Sequence, residues 1–196
     1  MKFNRIVPVM LIGKSERIKN KAFLKINGRE LFLYGYKTLT KIFKDIIIVC
    51  NKDIEKNLRE YNLTIISENL NLGPVGAIKV AAENIHKKYI FVVACDMPFL
   101  NRSVIEFMCQ MVRNDGLVPL HNNGRVEPLH SIYKREGILE IKSLPMKSVV
   151  DMIKLMNIIY LPVNEIKKID HNLLTFRNIN TYEDIEWMKK QLGIWE

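Results

Sequence analysis

The sequence predicts a Rossmann-like three-layer α/β/α domain with a mainly parallel sheet. Five continuous apolar runs are typical of strands that are covered on both faces. Segments with helical spacing of apolar residues separate most of these runs, and this alternation implies right-handed crossovers between parallel strands. With 196 residues, of which 48% are hydrophobic, the chain can bury a sizeable core, and we expect a single domain over residues 1–196.

The predicted strands share an unbroken apolar character rather than an alternation of apolar and polar residues. In chain order they cover residues 5–13, 45–50, 63–67, 89–95 and 157–163. Pro8 lies inside the first strand, which we expect to be central, and it removes one hydrogen bond from the sheet there.

Three helices are predicted between the strands, over residues 31–43, 76–87 and 103–112. The first two carry apolar residues at helical spacing. The third opens with Ser103 and Glu106 in the pattern of a capping box, in which the two side chains satisfy free backbone N–H groups.

The C-terminal part of the chain predicts a further helix and a turn. Thr181 is a candidate N-cap, and Glu183 and Asp184 follow it at the positive end of the helix dipole. Asn122, Asn123 and Gly124 lie between two extended stretches, which favours a tight turn.

Composition narrows the possible partners. The net charge of +9 favours an anionic partner without distinguishing nucleotide, nucleic acid or membrane surface. The basic residues are spread along the chain and aromatic residues are not interleaved with them, so no nucleic-acid partner is expected. We also expect no membrane association, because no apolar run reaches the length of a membrane span and no signal peptide is recognisable.

Cysteine and histidine usage gives two further expectations. The three cysteines form no CxxC pair, which favours a reducing cytoplasm over a disulfide framework. The four histidines have no metal-ligand spacing, so no zinc site is expected. The cysteines are Cys50, Cys95 and Cys109, and the histidines are His86, His121, His130 and His171.

An unusually basic loop follows the first strand. Five basic residues fall within a dozen positions, with few acidic residues to balance them: Lys14, Arg17, Lys19, Lys21 and Lys25. We expect a bound anion, rather than neighbouring carboxylates, to balance this charge.

Other polar residues follow the next strands of the predicted sheet. Asn51 follows the second strand, Glu68 and then the glycine-containing segment 73–76 follow the third, and Asp96 follows the fourth. Because ligands of such sheets bind at the carboxyl ends of the strands, these residues should face one crevice. Basic residues, glycines and a carboxylate that can hold Mg²⁺ make up a nucleoside triphosphate site, although neither a Walker P-loop nor a G-x-G-x-x-G motif is present.

Five segments carry a resemblance to a known family. The chain resembles the molybdenum cofactor guanylyltransferases, the MobA family of nucleotidyltransferases, and the order and spacing of the motifs match over nearly its whole length. The segments are MLIGKSERIKNKAFLKINGREL (10–31), LGPVGA (72–77), VVACDMPFL (92–100), GRVEPLHSIY (124–133) and FRNINTYEDI (176–185).

The resemblance implies an activity and its partners. A chain of this family would have the nucleotide-diphospho-sugar transferase type of α/β/α fold. It would use Mg²⁺ to transfer GMP from GTP to the terminal phosphate of molybdopterin, release pyrophosphate and form molybdopterin guanine dinucleotide. Other proteins of molybdenum cofactor metabolism would be possible partners in the cytoplasm, and no nucleophilic side chain is required.

The resemblance also implies roles for individual residues. Arg17, Lys21 and Asp96 would be catalytic, with Arg17 and Lys21 on the β and γ phosphates and Asp96 on the metal. The nucleotide site would comprise Leu11, Gly13, Arg17, Lys21, Asn51, Glu68, Gly73, Pro74, Gly76 and Asp96. The acceptor side would comprise Glu127, Pro128, Asn178 and Asn180.

The first motif departs from the family pattern. Ile12 replaces a signature glycine, the loop is one residue shorter, and Asn20 stands where the family has aspartate. Two alternatives therefore stand beside the guanylyltransferase. One is a related nucleotidyltransferase with another base or acceptor, such as cytidylyl transfer to molybdopterin. The other is a catalytically degenerate relative that binds a nucleotide or a partner protein.

Overall fold

The computed structural model describes residues 3–15, 17–68 and 73–193, which form nine strands and eight helices. The strands are β1 (Ile6–Ile12), β2 (Lys25–Ile26), β3 (Arg29–Glu30), β4 (Ile47–Asn51), β5 (Thr64–Glu68), β6 (Tyr89–Ala94), β7 (Gly116–Leu120), β8 (His130–Lys134) and β9 (Ile158–Pro162). The helices are α1 (Leu31–Thr40), α2 (Lys52–Leu58), α3 (Gly73–Asn84), α4 (Arg102–Met111), α5 (Arg135–Glu140), α6 (Val149–Lys154), α7 (Val163–Lys167) and α8 (Tyr182–Gln191).

Seven strands form one sheet in the order β5-β4-β1-β6-β8-β7-β9, and β2 and β3 form a separate small hairpin. Every pairing in the large sheet is parallel except the two made by β8, which runs antiparallel to β6 and to β7. The sheet is therefore mainly parallel, and the predicted α/β/α class is confirmed.

The central strand β1 shows why the sheet is covered on both faces. All seven of its residues are buried. Ile6, Met10 and Ile12 pack into one hydrophobic cluster, whereas the alternate residues Val7, Val9 and Leu11 pack into a second one. Since successive side chains of a strand point to opposite faces, an unbroken apolar run is what two cores require.

Pro8 is accommodated by the register of β1. The pairing of β1 with β4 begins at Val9, one residue after Pro8, while Pro8 itself lies opposite Phe91 of β6. The missing N–H thus falls where β1 has only one paired neighbour, which reduces the cost of proline in a central strand.

One predicted helix start is wrong and one is confirmed. Helix α4 begins at Arg102, with Asn101 as its N-cap. The Asn101 side chain accepts from the N–H groups of Ser103 and Val104, and Glu106 binds Arg102 instead of closing a capping box. Asn101, two residues before Ser103, thus supplies the oxygen that satisfies the free N–H groups, and the helix begins one residue earlier than predicted.

At the C-terminal helix α8, Thr181 is the N-cap and forms a full capping box with Asp184. The tight turn at residues 122–124 is also confirmed, because the N–H of His121 donates to the carbonyl of Arg125 at 2.8 Å and Gly124 has a φ of +83°.

Eight of the strands and helices were not predicted from the sequence: β2, β3, β7, β8, α2, α5, α6 and α7. Helix α2 buries only Ile54 and Leu58, and β8 carries His130 and Ser131 at fully buried positions. A strand with polar side chains in the core lacks the apolar pattern from which strands are predicted.

The cysteines are buried and form no disulfide among the described residues, and they are Cys50, Cys95 and Cys109. Among the described residues, no helix is both long enough and apolar enough to cross a membrane.

His130 lies in the core beside the C-terminal segment. Its Nε2 is 2.9 Å from the hydroxyl of Thr175, and its ring packs edge-on against Phe91 and Phe176. Burial lowers the pKa of His130 to about 4, so the folded protein keeps this imidazole neutral.

This burial predicts a loss of stability in mild acid. Between pH of about 6.5 and about 4 the unfolded chain binds a proton at His130 that the folded chain refuses. The free energy of unfolding should therefore fall as the pH drops through this window, by about 3 kcal/mol. Urea unfolding at pH 7 and pH 4.5 should show a larger loss for the natural protein than for His130→Gln. The exposed His86, changed to glutamine, serves as the control, and equal losses in the natural protein and His130→Gln would refute the assignment.

Candidate functional site

A cleft of about 490 Å³ opens at the carboxyl ends of β1, β4 and β6 and at the start of α3. We call it the first cleft. Its described lining residues are Leu11, Ile12, Gly13, Lys14, Ser15, Lys21, Val49, Cys50, Asn51, Gly73, Pro74, Ala77, Ala94, Cys95, Asp96 and Leu129. The crevice expected from the strand ends is thus present, with Leu11, Gly13, Lys21, Asn51, Gly73, Pro74 and Asp96 in its walls.

A largely buried charge pair forms one wall of the first cleft. The Nζ of Lys21 lies 2.5 Å from Oδ2 of Asp96, and the two side chains are only 10% and 15% exposed. The same ammonium group donates to Oδ1 of Asn180 at 2.9 Å. Buried ion pairs add little to net stability because of their desolvation cost, so this arrangement favours a functional role.

The chain on either side of Lys21 is held in place by local structure. Asn20 has a φ of +55°, a left-handed conformation that asparagine tolerates better than most residues, and a short 3₁₀ helix follows from Lys21 to Phe23. Ile18 is buried in a small hydrophobic cluster with Ile179 and residues of α8. This packing joins the basic loop to the segment that carries Asn180.

Two polar atoms in the first cleft have no partner among the described residues. Oδ1 of Asp96 and Oδ1 of Asn51 are both buried without a hydrogen bond. Asn51 occupies the N-cap position of α2, yet its side chain does not cap the helix. An unsatisfied buried polar atom costs free energy, and a ligand in the cleft can supply the hydrogen bonds that these two oxygens lack.

The glycines leave room in the cleft. A Cβ added to Gly13 or Gly73 would meet nothing within 4 Å, and Gly73 begins α3 with a φ of +62°. Gly76 is instead buried in the first turn of α3, where Ala77 lines the cleft. The Glu68 side chain lies outside the described residues.

The expectation that an anion balances the basic loop needs a correction. Lys14 pairs with Asp53 at 2.7 Å, Lys21 with Asp96, and Lys25 with Glu30 at 3.6 Å. These carboxylates come from distant elements or from the hairpin, so the local sequence does not reveal them. The Lys14–Asp53 pair is largely exposed and contributes little. Arg17 is exposed and is not among the residues that line the first cleft.

A second cavity of about 620 Å³ lies beside the segment that precedes α8. We call it the second cavity. Its described lining residues are His121, Arg125, Asn172, Leu173, Leu174, Phe176, Arg177, Asn178, Asn180, Asp184 and Trp187. Two of the four residues expected on the acceptor side, Asn178 and Asn180, line it, and Oδ1 of Asn178 is buried without a partner among the described residues.

The other two acceptor candidates do not line the second cavity. Glu127 is buried, and its Oε1 lies 2.6 Å from Nε2 of His121 and 2.9 Å from Arg125. The carbonyl of Pro128 accepts from the hydroxyl of Tyr133 at 2.8 Å, inside the fold. Sequence reasoning thus missed His121 and Arg125, although Arg125 lies in the same quoted segment as Glu127.

The two spaces adjoin at Lys21. Its side chain lines the first cleft and donates to Asn180, which lines the second cavity. The N–H of Ile179 also donates to the carbonyl of Asp96 at 2.9 Å. A ligand in the first cleft would therefore contact Lys21, and a ligand in the second cavity would contact its hydrogen-bond partner Asn180.

Among its described residues, the site contains no obvious side-chain nucleophile. Burial, reinforced by the charge of Asp96, raises the pKa of the Cys95 thiol to about 12, which keeps it protonated near neutral pH. Such an arrangement is suited to binding and aligning two anions rather than to covalent catalysis.

Comparison with known sequences identifies relatives along most of the chain. The pattern of the MobA-like NTP transferase domain matches residues 10–155. A probable molybdenum cofactor guanylyltransferase of Methanosarcina acetivorans is 31% identical over 193 residues, covering 90% of this chain and 85% of the relative. One of Thermococcus gammatolerans is 30% identical over 191 residues, covering 93% and 97%.

Solved structures share the architecture. Molybdopterin-guanine dinucleotide biosynthesis protein A from Archaeoglobus fulgidus superimposes with a TM-score of 0.81 at 24% identity, covering 97% of this chain and all of that one. A CMP:2-keto-3-deoxy-manno-octonic acid synthetase gives a TM-score of 0.70 at 11% identity, covering 96% of this chain and 98% of that one. The fold is that of the nucleotide-diphospho-sugar transferases.

Proposed function

The chain belongs to the family of MobA-like NTP transferase domains, and on this premise we propose that it is a molybdenum cofactor guanylyltransferase. It would transfer GMP from GTP to molybdopterin, release pyrophosphate and form molybdopterin guanine dinucleotide. The observation that carries the proposal is the Lys21–Asp96–Asn180 cluster, in which a cation and a carboxylate stand between two adjoining spaces of ligand size.

The first cleft suits the nucleotide. Lys21 offers a positive charge to phosphate oxygens, and the open space around Gly13 and Gly73 lets a ligand approach the backbone closely. The free Oδ1 of Asn51 can accept a hydrogen bond from the nucleoside. Arg17 would reach the phosphates from the exposed loop.

The altered first motif is compatible with this site. Ile12 borders the first cleft, but the residue is only 1% exposed and its side chain packs into the core on one face of the sheet. Its β-branched bulk is therefore directed into the protein and leaves the space beside Gly13 open. This placement favours the enzyme over a degenerate relative.

The donor set also fits the expected magnesium ion. Asp96 keeps one carboxylate oxygen free while Lys21 occupies the other. The described residues include no group of three or more His, Cys, Asp or Glu side chains that could enclose a metal. Mg²⁺ in nucleotide enzymes is usually held by one or two carboxylates together with phosphates and water, so Asp96 alone is sufficient. When bound, the ion would neutralise charge on the phosphates.

The reaction joins two anions, and the chain's task is to align them. An oxygen of the acceptor phosphate attacks the α-phosphorus of GTP and forms a new P–O bond. The bond between the α-phosphorus and the oxygen that bridges the α- and β-phosphates breaks, and its electron pair leaves with pyrophosphate. Lys21 stabilises the charge that develops on the phosphates, and its bond to Asn180 fixes its position towards the acceptor.

Pyrophosphate release by the purified protein tests this proposal. With Mg·GTP and metal-loaded molybdopterin together we expect release, and with either alone we expect none. Release with CTP instead of GTP would assign a cytidylyltransferase. If a folded protein releases no pyrophosphate with either nucleotide while an active control enzyme does, transferase activity is refuted.

A further inference from the structure

We propose that Arg125 and Arg177 bind the anionic end of the acceptor in the second cavity, and that Glu127 acts as a positioning residue for Arg125. This inference rests on the proposed function, and it adds two arginines to the four residues expected on the acceptor side. Arg125 and Arg177 lie in the segments 124–133 and 176–185 that carry the resemblance. Both arginines line the second cavity, from two separate segments of the chain.

Arg177 is held in one orientation by two neighbours. One terminal nitrogen of its guanidinium lies 2.7 Å from Oδ1 of Asp184, and the guanidinium carbon lies 4.7 Å from the centre of the Trp187 ring. Its side chain is nevertheless 46% exposed. Since a guanidinium has five N–H donors, the bond to Asp184 leaves most of them available to a ligand.

Asp184 itself is secured by the start of α8. Its Oδ2 accepts from the backbone N–H groups of Asn180 and Thr181. Burial alone would raise the pKa of this carboxyl, but these hydrogen bonds and Arg177 together lower the pKa. A carboxylate that stays ionised keeps Arg177 in place near neutral pH.

Arg125 is held in a comparable way by Glu127. The Glu127 side chain is 8% exposed, whereas that of Arg125 is 64% exposed. Arg125 lies 2.9 Å from Oε1 of Glu127, and His121 contacts both residues, with its Nε2 2.6 Å from Glu127 and 3.1 Å from Arg125. The side chains of His121 and Arg125 therefore separate the buried Glu127 carboxylate from the cavity. Glu127 would affect a ligand by holding Arg125 in position.

A further feature of the cavity indicates a ligand independently of its charge. Asn178 lines the cavity, and its Oδ1 is buried without a partner among the described residues. A ligand in the cavity can supply the hydrogen bond that this oxygen lacks. The chemical class that fits is a molecule with a phosphate at one end and N–H donors on a ring, which agrees with molybdopterin as acceptor.

The position of Asn180 connects this anion site to the reaction. Asn180 lies three residues after Arg177, lines the same cavity and binds Lys21 of the first cleft. A phosphate held at the Asn180 end of the cavity would thus lie beside the nucleotide phosphates.

The test measures acceptor binding without turnover. In a Trp195→Phe background Trp187 is the only tryptophan, and its fluorescence reports on the cavity that it lines. Titration with metal-free molybdopterin should give a Kd that rises about tenfold or more in Arg125→Gln and in Arg177→Gln. The Kd for Mg·GTP, measured by calorimetry, should change less than twofold. Arg102→Gln, an exposed arginine on α4 paired with Glu106, is the matched control.

A double-mutant cycle separates positioning from mere structural support. If Glu127 acts through Arg125, Glu127→Gln should weaken molybdopterin binding in the natural background but have little further effect in Arg125→Gln. Additive effects would overturn the positioning role. Unchanged molybdopterin binding in both arginine variants would overturn the anion site while leaving the proposed function intact. If the natural protein itself fails to bind molybdopterin, the proposed acceptor and this inference both fall.

Discussion

Replacing Asp96 with asparagine is expected to lower pyrophosphate release by about a thousandfold while the protein remains folded. The amide has the size of the carboxylate, but it cannot supply a negative oxygen to a divalent cation. It also removes the charge that holds the ammonium group of Lys21 at 2.5 Å. Loss of an electrostatic partner in a water-poor site typically costs a factor of a hundred to a thousand in rate.

The measurement is turnover over a titration with Mg²⁺, using GTP and metal-loaded molybdopterin. We expect Asp96→Asn to show no saturable dependence on Mg²⁺. Asp53→Asn is the matched control, because Asp53 also pairs with a lysine of the basic loop but is largely exposed and does not line the first cleft. Near-normal turnover of Asp96→Asn would refute the metal assignment.

A folding defect in Asp96→Asn can be recognised separately. The substitution leaves the buried ammonium group of Lys21 without its charged partner, and breaking a buried pair at one end destabilises a protein. The double variant Lys21→Met with Asp96→Asn contains no buried charge at this place and should recover stability in urea unfolding. If the double variant is stable and still inactive, the missing activity belongs to the site rather than to the fold.

The fold was largely predictable because its main strands are apolar on both faces. Strand β1 is the clearest case, since its seven buried residues serve two cores. Strand β8 was not predicted, because some of its buried side chains are polar. His130 and Ser131 are fully buried in β8, where Thr175 and the carbonyl of Glu127 satisfy their polar atoms. Partners that are distant in sequence give no local signal.

The candidate site divides in the same way. Asp96 and Asn51 were predicted as site residues because each directly follows a predicted strand. Ligands bind at the carboxyl ends of parallel strands, so this prediction requires only the positions of the strands in the sequence. The bond from Lys21 to Asn180 spans 159 positions, so only the folded chain reveals that the two predicted subsites touch. Glu127 was placed on the acceptor side by its motif, but it lies behind His121 and Arg125, a distinction that depends on burial.

Replacing Lys21 with methionine is expected to lower kcat/KM for GTP by at least about a hundredfold. Methionine keeps most of the length and apolar character of the lysine stem but loses the charge that neutralises phosphate oxygens. Because the ammonium group also donates to Asn180 at 2.9 Å, its loss should impair the alignment of the acceptor, so we expect kcat to fall as well as nucleotide affinity.

The contrast with a neighbouring lysine makes this result interpretable. Lys25 belongs to the same basic stretch, but its side chain is 68% exposed and pairs with Glu30 of the hairpin. Lys25→Met removes the same charge from the protein and should leave kcat/KM within about twofold, since exposed charges act weakly through solvent. If Lys21→Met and Lys25→Met behaved alike, Lys21 would serve only to neutralise Asp96. A loss confined to Lys21→Met would mean that the position of the charge, and not the net charge of the loop, supports catalysis.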